Sequence, residues 1–269
     1  MNNTAAPLRT GSASQALDPP IESVLETVDL SWSVGGFTIV SDVGLRVRRG
    51  EFLTVIGPNG AGKSTLMNLL SGVYRPSSGS VHFDGQDITK MGAAHRVRRG
   101  LGRTFQTSSL FSGLTVLENA RLAAQAALGG SMNLWGRPSA HDQATERARE
   151  HLEEVGLHDM GGNIVSDLPY GDKRKLEIAL ALCARPRVLL LDEPTAGVSA
   201  EDVHALIDVV RAVHDSGRSV VMVEHRMDLV LDASDRIAVM QDGGLLLCDE
   251  PNAVMSDPRV QAAYLGPEF

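Results

Sequence analysis

The segment from Gly57 to Thr65 constrains the fold of this chain more than any other feature of the sequence. It reads Gly-Pro-Asn-Gly-Ala-Gly-Lys-Ser-Thr and fits the pattern G-x-x-x-x-G-K-[ST]. The apolar run Phe52 to Ile56 precedes it, and a helical pattern begins near Lys63. A glycine-rich turn between a strand and a helix can fold around a phosphate and point its N–H groups inward. The segment therefore predicts a phosphate-binding loop in an α/β fold.

Every residue of this loop is a candidate contact for a nucleotide. The side chain of Lys63 is expected to reach the β- and γ-phosphates, and the Ser64 hydroxyl is expected to ligate Mg²⁺. The candidate nucleotide-binding residues are Gly57, Pro58, Asn59, Gly60, Ala61, Gly62, Lys63, Ser64 and Thr65. The loop thus predicts a site for a nucleoside triphosphate and Mg²⁺.

A pair of acidic residues follows a second apolar run, Val188 to Leu191. Such a run is typical of a strand that is buried on both faces of a parallel sheet. Carboxylates at the C-terminal edge of such a strand face the ligand crevice. We expect Asp192 to hold Mg²⁺ through water, and Glu193 to orient or deprotonate the attacking water. The two motifs predict a phosphate-loop ATPase or GTPase, and the sequence has no Asn-Lys-x-Asp tetrad that selects guanine.

The apolar pattern along the chain predicts a helical segment between two α/β stretches. Residues 21–56 have strand patterns, and residues 91–165 are mostly helical by their apolar spacing. From Leu168 onward helices and strands alternate again, and Asp242-Gly243 is typical of a hairpin turn. We therefore predict a parallel-sheet core that is interrupted by a helical insertion.

These patterns divide the chain into three parts. Residues 1–20 are rich in Ser, Thr, Ala and Pro, which predicts a disordered tail. The hydrophobic content of 43% is enough for one large domain core. We expect the ATPase domain to span residues 21–250, with a helical subdomain at about 91–170, and a short C-terminal helix or tail to span 251–269.

Charge and hydropathy narrow the classes of partner. The formal net charge is −8, whereas nucleic-acid-binding surfaces usually show a basic excess, so we expect no nucleic-acid partner. No stretch approaches the roughly 18 apolar residues that span a bilayer. Any role at a membrane is therefore expected to come through a partner chain.

Three further segments resemble the ATP-binding-cassette (ABC) family. Leu168-Pro169-Tyr170-Gly171-Asp172 lies about 20 residues before the carboxylate pair, where that family has its Leu-Ser-Gly-Gly-Gln-type signature. Phe105-Gln106 lies where the family has its glutamine loop, and Val223-Glu224-His225 where it has its switch histidine. The resemblance covers about residues 22 to 250. It implies a P-loop NTPase (RecA-like) α/β core with an antiparallel β-subdomain and an inserted helical subdomain.

The resemblance also implies roles for these residues. Gln106 is expected to sense Mg²⁺ and the γ-phosphate, and His225 to contact the γ-phosphate, so both join Glu193 as candidate catalytic residues. The signature segment, Leu168 to Asp172, is expected to contact ATP that is bound to a second protomer. The active unit is then a head-to-tail dimer of ATPase protomers, of the same or of different chains, that encloses two ATP molecules.

A closer resemblance is to importers of branched-chain amino acids. It is carried by the residues from Leu168 to Ala179, by Thr195-Ala196-Gly197-Val198-Ser199, and by the ending Met255 to Gly266. It implies integral membrane permease subunits, a periplasmic or extracellular solute-binding protein that acts indirectly, and a peripheral position at the cytoplasmic face of the inner membrane. Lipopolysaccharide-export ATPases share a similar tail, so they are the alternative transporter class.

Other classes explain fewer of these segments. Non-transport cassette ATPases usually carry two cassettes or very long coiled-coil insertions, and this sequence has one cassette and no heptad array. A P-loop kinase would need an acceptor site and a lid, and it would leave the signature-like segment and His225 unexplained. Importer, exporter and non-transport ATPase therefore remain the hypotheses, in that order.

The sequence departs from the family pattern at several positions. Pro169 stands where the signature usually has serine, and Asp172 stands where it has glutamine. The position that commonly stacks on the nucleobase aligns with Val34, which cannot stack. Trp32 and Phe37 are the candidates to replace it.

Overall fold

The computed structural model describes residues 22–104, 110–129 and 143–265 of the 269-residue chain. The predicted tail 1–20 and the glutamine loop at Phe105-Gln106 lie outside the described residues. In chain order the described strands are β1 (Ser23–Val34), β2 (Phe37–Val43), β3 (Arg46–Arg48), β4 (Phe52–Ile56), β5 (Ser78–Phe83), β6 (Gln86–Asp87), β7 (Leu101–Arg103), β8 (Val188–Asp192), β9 (Ser219–Val223), β10 (Arg236–Gln241) and β11 (Gly244–Asp249).

Helices flank these strands. In chain order the described α-helices are α1 (Lys63–Ser71), α2 (Ala93–Arg98), α3 (Val116–Leu128), α4 (Gln143–Glu154), α5 (Tyr170–Leu182), α6 (Ala200–Asp215), α7 (Met227–Ala233), α8 (Pro251–Ser256) and α9 (Pro258–Leu265). Two short 3-10 helices, His158–Met160 and Val165–Asp167, connect α4 to α5. None of the helices within the described ranges has the length and apolar character that crossing a bilayer requires.

A six-stranded sheet forms the core, in the order β11-β10-β4-β9-β8-β7. All of its pairs are parallel except the edge pair of β10 with β11, which the turn at Asp242-Gly243 joins as predicted. Every residue of β4, β8 and β9 is buried, because helices or the second sheet cover both faces. The continuous apolar runs in the sequence follow from this burial. The carboxyl ends of β4, β8 and β9 therefore meet at one edge.

The second sheet is small and antiparallel, in the order β2-β1-β5-β6, with β3 also paired to β1. Leu30 and Val40 of its first hairpin are fully buried against Leu66 and Leu70 of α1 in one apolar cluster. This sheet is the predicted antiparallel β-subdomain. It covers the same face of the core sheet on which α1 packs. The hairpin of β1 and β2 is thereby held beside the phosphate loop.

Helices α3, α4 and α5 pack on one another and form the predicted helical region. Thr115 begins α3 with a capping box, in which its hydroxyl accepts from the Glu118 N–H and the Glu118 carboxylate accepts from the Thr115 N–H. Within residues 91–165, which are predicted to be mostly helical, Leu101–Arg103 are not helical. These three residues are the edge strand β7, paired in parallel with β8. The core sheet therefore extends into the segment that was assigned to the helical region.

Candidate active site

The phosphate loop lies between the end of β4 and the start of α1, as the sequence predicts. At two of its positions only glycine fits. A Cβ atom on Gly57 would lie 2.2 Å from the carbonyl oxygen of Met240, and a Cβ atom on Gly62 would lie 2.7 Å from that of Ile39. Gly62 also has a φ of 93°, which side-chain-bearing residues rarely adopt. The loop is therefore tightly wound against β2 and β10.

Lys63 points its ammonium group into this loop. The side chain is buried, and Nζ donates to the carbonyl oxygens of Gly57 at 2.8 Å and Pro58 at 3.0 Å. Burial lowers the pKa of Lys63, and the negative charges of Glu193 and Asp192 oppose that change. The loop therefore holds a cation that can exchange backbone carbonyls for the more strongly binding oxygens of a phosphate.

A pocket of about 270 Å³ opens above the loop. Most of its lining comes from the predicted nucleotide-binding segment, joined by one residue of β2 and by one of the predicted acids. The lining residues are Ile39, Asn59, Gly60, Gly62, Lys63, Ser64, Thr65 and Glu193. The structure thus brings Glu193 to the phosphate loop, as the sequence analysis predicted.

Asp192 is the last residue of β8, and its side chain is almost fully buried. Its Oδ1 atom accepts a long hydrogen bond of 3.4 Å from the Ser64 hydroxyl, and its Oδ2 atom accepts from Nη2 of Arg103 at 3.1 Å. Burial raises the pKa of the Asp192 carboxyl, and the positive charge of Arg103 opposes that change. The structure therefore places two of the three predicted metal ligands, Ser64 and Asp192, side by side, and the third, Gln106, lies outside the described residues.

This donor set fits Mg²⁺. A hydroxyl and a carboxylate are hard oxygen donors, and Mg²⁺ in nucleotide sites takes one or two protein oxygens and completes its shell with phosphate oxygens and water. In the three described ranges no group of three or more His, Cys, Asp or Glu side chains is arranged to hold a metal by itself. The Ser64 and Asp192 pair therefore suits a metal that arrives with a nucleotide.

Glu193 and His225 follow neighbouring parallel strands, because Asp192 of β8 pairs with Val223 of β9. His225 Nε2 lies 2.7 Å from Glu193 Oε1, and both side chains are partly exposed. Glu193 has a φ of 49°, in the left-handed region that few residues other than glycine adopt. The left-handed conformation of Glu193 turns the chain away from β8 at the edge of the pocket. The pair can bind and polarise a water molecule above the phosphate loop.

Glu224 is a buried carboxylate that the sequence analysis did not select. It accepts from the N–H of His225 at 2.7 Å, from the N–H of Arg226 at 3.4 Å and from the N–H of Thr195 at 3.3 Å. The Thr195 hydroxyl is a further donor to it. Four donors thus converge on one side chain. Glu224 therefore ties the segment after β8 to the segment that carries His225.

The two aromatic candidates for stacking on the nucleobase, Trp32 and Phe37, differ in their surroundings. The Trp32 ring is stacked on Tyr74, with centroids 4.8 Å apart and an angle of 8° between the rings. Phe37 is 75% exposed and is paired with Val34 across the first hairpin. Alternate residues of a strand share a face, so Phe37 lies on the same face of β2 as Ile39, which lines the pocket. Phe37 is therefore the better placed of the two.

The signature segment, Leu168 to Asp172, lies at the start of α5. Pro169 precedes the first helical residue, Tyr170, and no side chain caps this helix. The Tyr170 side chain is exposed, and Asp172 forms an ion pair of 3.2 Å with Lys175 of the same helix. The lining of the phosphate pocket includes no signature residue among those described. Within the described part of one chain, the structure therefore does not bring the signature to the phosphate loop.

A second cavity, of about 650 Å³, lies between the core sheet and the helical region. No local sequence pattern indicates this cavity, because its wall combines residues from α2, β7, α3 and α5. The lining residues are Ala94, Val97, Arg98, Gly102, Arg103, Thr104, Leu110, Ala123, Ala126, Ala127, Glu177, Leu180, Ala181 and Ala184. We refer to it as the interdomain cleft. It is mostly apolar, with Arg98, Arg103 and Glu177 as its charged residues.

Comparison with known sequences gives a consistent answer. The family model described as ABC transporter matches residues 40–196. The chain is 37% identical over 251 residues to the high-affinity branched-chain amino acid transport ATP-binding protein BraF of Pseudomonas aeruginosa, with 90% of this chain and 98% of BraF covered. It is 35% identical over 251 residues to LivG of Escherichia coli, which has the same description, with 91% and 98% covered. It is 32% identical over 247 residues to the lipopolysaccharide export system ATP-binding protein LptB of Haemophilus influenzae, with 92% and 99% covered.

Solved structures agree with the sequence comparison. The ADP conformation of MJ1267, an ATP-binding cassette of an ABC transporter, matches with a TM-score of 0.81 and 31% identity, over 91% of this chain and 99% of that chain. A nucleotide-free ATP-binding cassette from an ABC transporter matches with a TM-score of 0.80 and 30% identity, over the same shares. These matches confirm the predicted fold. The chain therefore belongs to the ABC transporter family, as an ATP-binding subunit that hydrolyses ATP.

Proposed function

We propose that this chain powers an importer of branched-chain amino acids or of related small polar solutes. The observation that carries the proposal is its identity of 37% and 35% to BraF and LivG, over about nine-tenths of the chain. ATP hydrolysis at the phosphate pocket then drives uptake through separate integral membrane permease subunits. A periplasmic or extracellular solute-binding protein supplies the solute and does not touch this chain.

The geometry of the pocket supports a role for each polar residue. Lys63 binds the β- and γ-phosphates, and Ser64 and Asp192 hold Mg²⁺, which neutralises phosphate charge. Glu193 accepts a proton from the attacking water, and His225, bonded to Glu193, orients the γ-phosphate and the water. The protein mainly supplies positioning and electrostatic stabilisation, as phosphoryl transfer requires. Gln106, outside the described residues, is proposed as a further contact of Mg²⁺ and the γ-phosphate.

The proposed unit contains two ATPase protomers, of the same or of different chains. The uncapped start of α5 offers free N–H groups and the positive end of the helix dipole, and Tyr170 there is exposed. These groups suit a phosphate that comes from outside the chain. We therefore assign Leu168, Pro169, Tyr170, Gly171 and Asp172 to ATP that is held by the phosphate loop of the facing protomer.

The interdomain cleft is the proposed docking site of the permease. Its apolar wall with a few charged residues suits a short amphipathic segment, and Arg103 in the wall also contacts Asp192. We propose that the chain, docked in this way, is a peripheral subunit at the cytoplasmic face of the inner membrane. Because the cleft adjoins the ATP site, docking and hydrolysis can influence each other.

The experiment is an uptake assay in the native cell. The chromosomal gene is replaced by the Glu193→Gln variant, and uptake of radiolabelled leucine, isoleucine and valine is measured. We expect the initial uptake rate to fall at least tenfold. The matched control is Glu153→Gln, which changes an exposed glutamate of α4, far from the pocket lining in sequence and outside it in structure. It should leave uptake unchanged.

The alternative transporter class predicts another phenotype. If the chain serves lipopolysaccharide export, as the similarity to LptB allows, Glu193→Gln leaves amino-acid uptake at its normal rate and lipopolysaccharide accumulates in the inner membrane. Normal uptake of all three amino acids in that variant would overturn their assignment as the solutes, and accumulation of lipopolysaccharide would overturn the importer proposal itself. Loss of uptake for all three amino acids together with normal lipopolysaccharide supports it.

A further inference from the structure

Arg103 connects the carboxylate Asp192 to the helix that begins the nucleotide site. Its side chain is nearly fully buried, at 6% exposure, and Nη2 donates to Asp192 Oδ2 at 3.1 Å. Nη1 donates to the Asn68 side-chain oxygen and to the Ser71 hydroxyl, both at 2.7 Å, and to the Met67 carbonyl at 3.2 Å. One guanidinium group therefore joins the end of β8 to the second half of α1.

The two elements that Arg103 connects, α1 and β8, also carry the proposed metal ligands Ser64 and Asp192. Helix α1 begins at Lys63, so the helix that Arg103 grips is the one that presents the Ser64 hydroxyl. Asp192 Oδ1, the carboxylate oxygen that Arg103 does not hold, lies 3.4 Å from that hydroxyl. A planar guanidinium with several donors can fix both the distance between two elements and the rotation of a carboxylate. A flexible ammonium group cannot do both.

We propose that Arg103 is a positioning residue for the metal site: it holds Asp192 Oδ2, so that Oδ1 and the Ser64 hydroxyl face the same point. This inference rests on the proposed function, because it takes Ser64 and Asp192 as the Mg²⁺ ligands. It adds a residue that belongs to neither the phosphate loop nor the signature segment. Arg103 acts through Asp192 and is not itself a catalytic residue.

Charge and positioning predict opposite effects when Arg103 is removed. The guanidinium is a positive charge near the metal, so a pure charge effect makes Mg²⁺ bind more tightly in an uncharged variant. Loss of positioning lets the buried carboxylate rotate away from Ser64, so Mg²⁺ binds less tightly. We expect the positioning effect to exceed the charge effect, because Asp192 is buried and Arg103 donates directly to one of its two carboxylate oxygens. The sign of the change therefore separates the two explanations.

The chain offers a matched control in Arg96, a second buried arginine that donates hydrogen bonds to α1. Arg96 is 1% exposed and donates to the carbonyl oxygens of Leu69 and Leu70, both at 2.7 Å. Its remaining hydrogen bonds within the described residues go to the carbonyl oxygens of Met91 and Thr89, and none of them goes to Asp192. Arg96→Met removes a buried cation and its bonds to the same helix, so it reproduces the structural cost of Arg103→Met without touching the metal ligand.

The test measures metal-dependent nucleotide binding by the purified full chain, without using hydrolysis. Binding of a fluorescent ATP analogue is titrated with Mg²⁺, and again in EDTA, for the wild type, Arg103→Met, Arg103→Lys and Arg96→Met. We expect Arg103→Met to raise the Mg²⁺ concentration for half-maximal enhancement at least fivefold, and Arg103→Lys to raise it by a smaller factor. Binding in EDTA should stay within twofold, and Arg96→Met should leave the Mg²⁺ dependence unchanged.

Each result decides the proposal. An unchanged or lower Mg²⁺ requirement in Arg103→Met overturns it, and so does an equal rise in Arg96→Met, since the effect would then be general loosening of α1. If Arg103→Met does not fold, an unchanged Mg²⁺ requirement in Arg103→Lys overturns it in the same way. A wild-type chain that binds the analogue equally well with Mg²⁺ and with EDTA would instead show that the assignment of Ser64 and Asp192 as metal ligands is wrong.

Discussion

The phosphate loop and the signature segment differ in how much of their binding chemistry lies within one chain. At the phosphate loop, Lys63 and Asp192 are buried and each has its hydrogen-bond partners in place. At the signature segment, α5 begins with no side-chain cap, and Tyr170 is exposed. Its one acidic residue, Asp172, pairs with Lys175 of the same helix.

This difference indicates how the phosphate loop and the signature segment each bind a nucleotide. The phosphate loop is a preformed site, so it can bind a nucleotide as soon as one arrives. The signature segment is a helix end with free donors, and it needs an acceptor from outside the chain. The two regions therefore depend on each other only if a second protomer supplies the missing half. The following substitutions test that difference, beginning with the largest expected effect.

Lys63→Ala should give the largest loss. The ammonium group lies inside the loop, where a charge pair at about 4 Å contributes roughly 4 kcal/mol at an effective dielectric of 20. We expect hydrolysis to be abolished and ATP binding to weaken at least tenfold. Isothermal titration calorimetry with ATP and a phosphate-release assay measure the two effects. Wild-type turnover in Lys63→Ala would show that the phosphate loop is not part of the ATP site.

Glu193→Gln should affect turnover and leave binding intact. The amide keeps the shape of the side chain but cannot accept the proton of the attacking water, so we expect hydrolysis to slow by about 10²-fold to 10⁴-fold. ATP should remain bound and should stabilise a dimer in size-exclusion chromatography. Near-normal turnover in this variant would assign the base to another residue. Glu224 is a poor substitute, because four donors already occupy its carboxylate.

Sequence predicted the parts of this site that depend on local pattern. The phosphate loop and the carboxylate pair follow the apolar runs that form β4, Phe52–Ile56, and β8, Val188–Asp192. Strand β7 was missed because it has only three residues, and its pairing with β8 decides its conformation. Arg103 and Glu224 were also missed, because their roles depend on partners far along the chain. Arg103 and Asp192, for example, are 89 residues apart.

Phe37→Ala tests the nucleobase side of the phosphate pocket. If the exposed Phe37 ring stacks on adenine, its removal should weaken ATP binding by about 1–3 kcal/mol, as for other contacts between bases and aromatic side chains. Trp32→Ala should leave affinity within twofold and lower the melting temperature, because Trp32 stacks on Tyr74. If neither variant changes affinity, Val34 alone packs on the base, and discrimination between ATP and GTP should be poor.

Asp172→Asn should have the smallest effect, and its sign tests the orientation of the signature segment. The Asp172 carboxylate stabilises its own helix by roughly 0.3–1 kcal/mol. The free Asp172→Asn chain should therefore melt at a slightly lower temperature than the wild type. Across the proposed interface the same charge repels a γ-phosphate about 6 Å away by roughly 3 kcal/mol at a dielectric of 20, before compensation by nearby cations. The ion pair with Lys175 supplies part of that compensation. We expect a modest gain in ATP-dependent dimerisation.

The measurement is sedimentation velocity in the Glu193→Gln background, with and without Asp172→Asn, at low and at high salt. The gain should shrink as salt is raised, because the closing interface is partly solvated. Glu153→Gln in the same background controls for the loss of one exposed negative charge. Weaker dimerisation in the Asp172→Asn variant would mean that this carboxylate makes a favourable contact across the interface.

Complementation between two inactive chains tests the central claim most directly. One chain carries Lys63→Ala and lacks a working phosphate loop. The other carries Tyr170→Glu, which places a carboxylate at the exposed start of α5, where the facing ATP is expected, and favours its own helix. Each chain alone should be inactive, and circular dichroism should show that both are folded.

If the site is shared head to tail, each mixed dimer has one site with an intact phosphate loop and an intact signature segment. Since half of randomly assorted dimers are mixed, an equal mixture should recover about one quarter of wild-type ATPase activity at a protein concentration where the wild type dimerises. That recovery is the predicted result. If the equal mixture stays as inactive as its components, the phosphate loop and the signature segment do not meet across two protomers, and the account is contradicted.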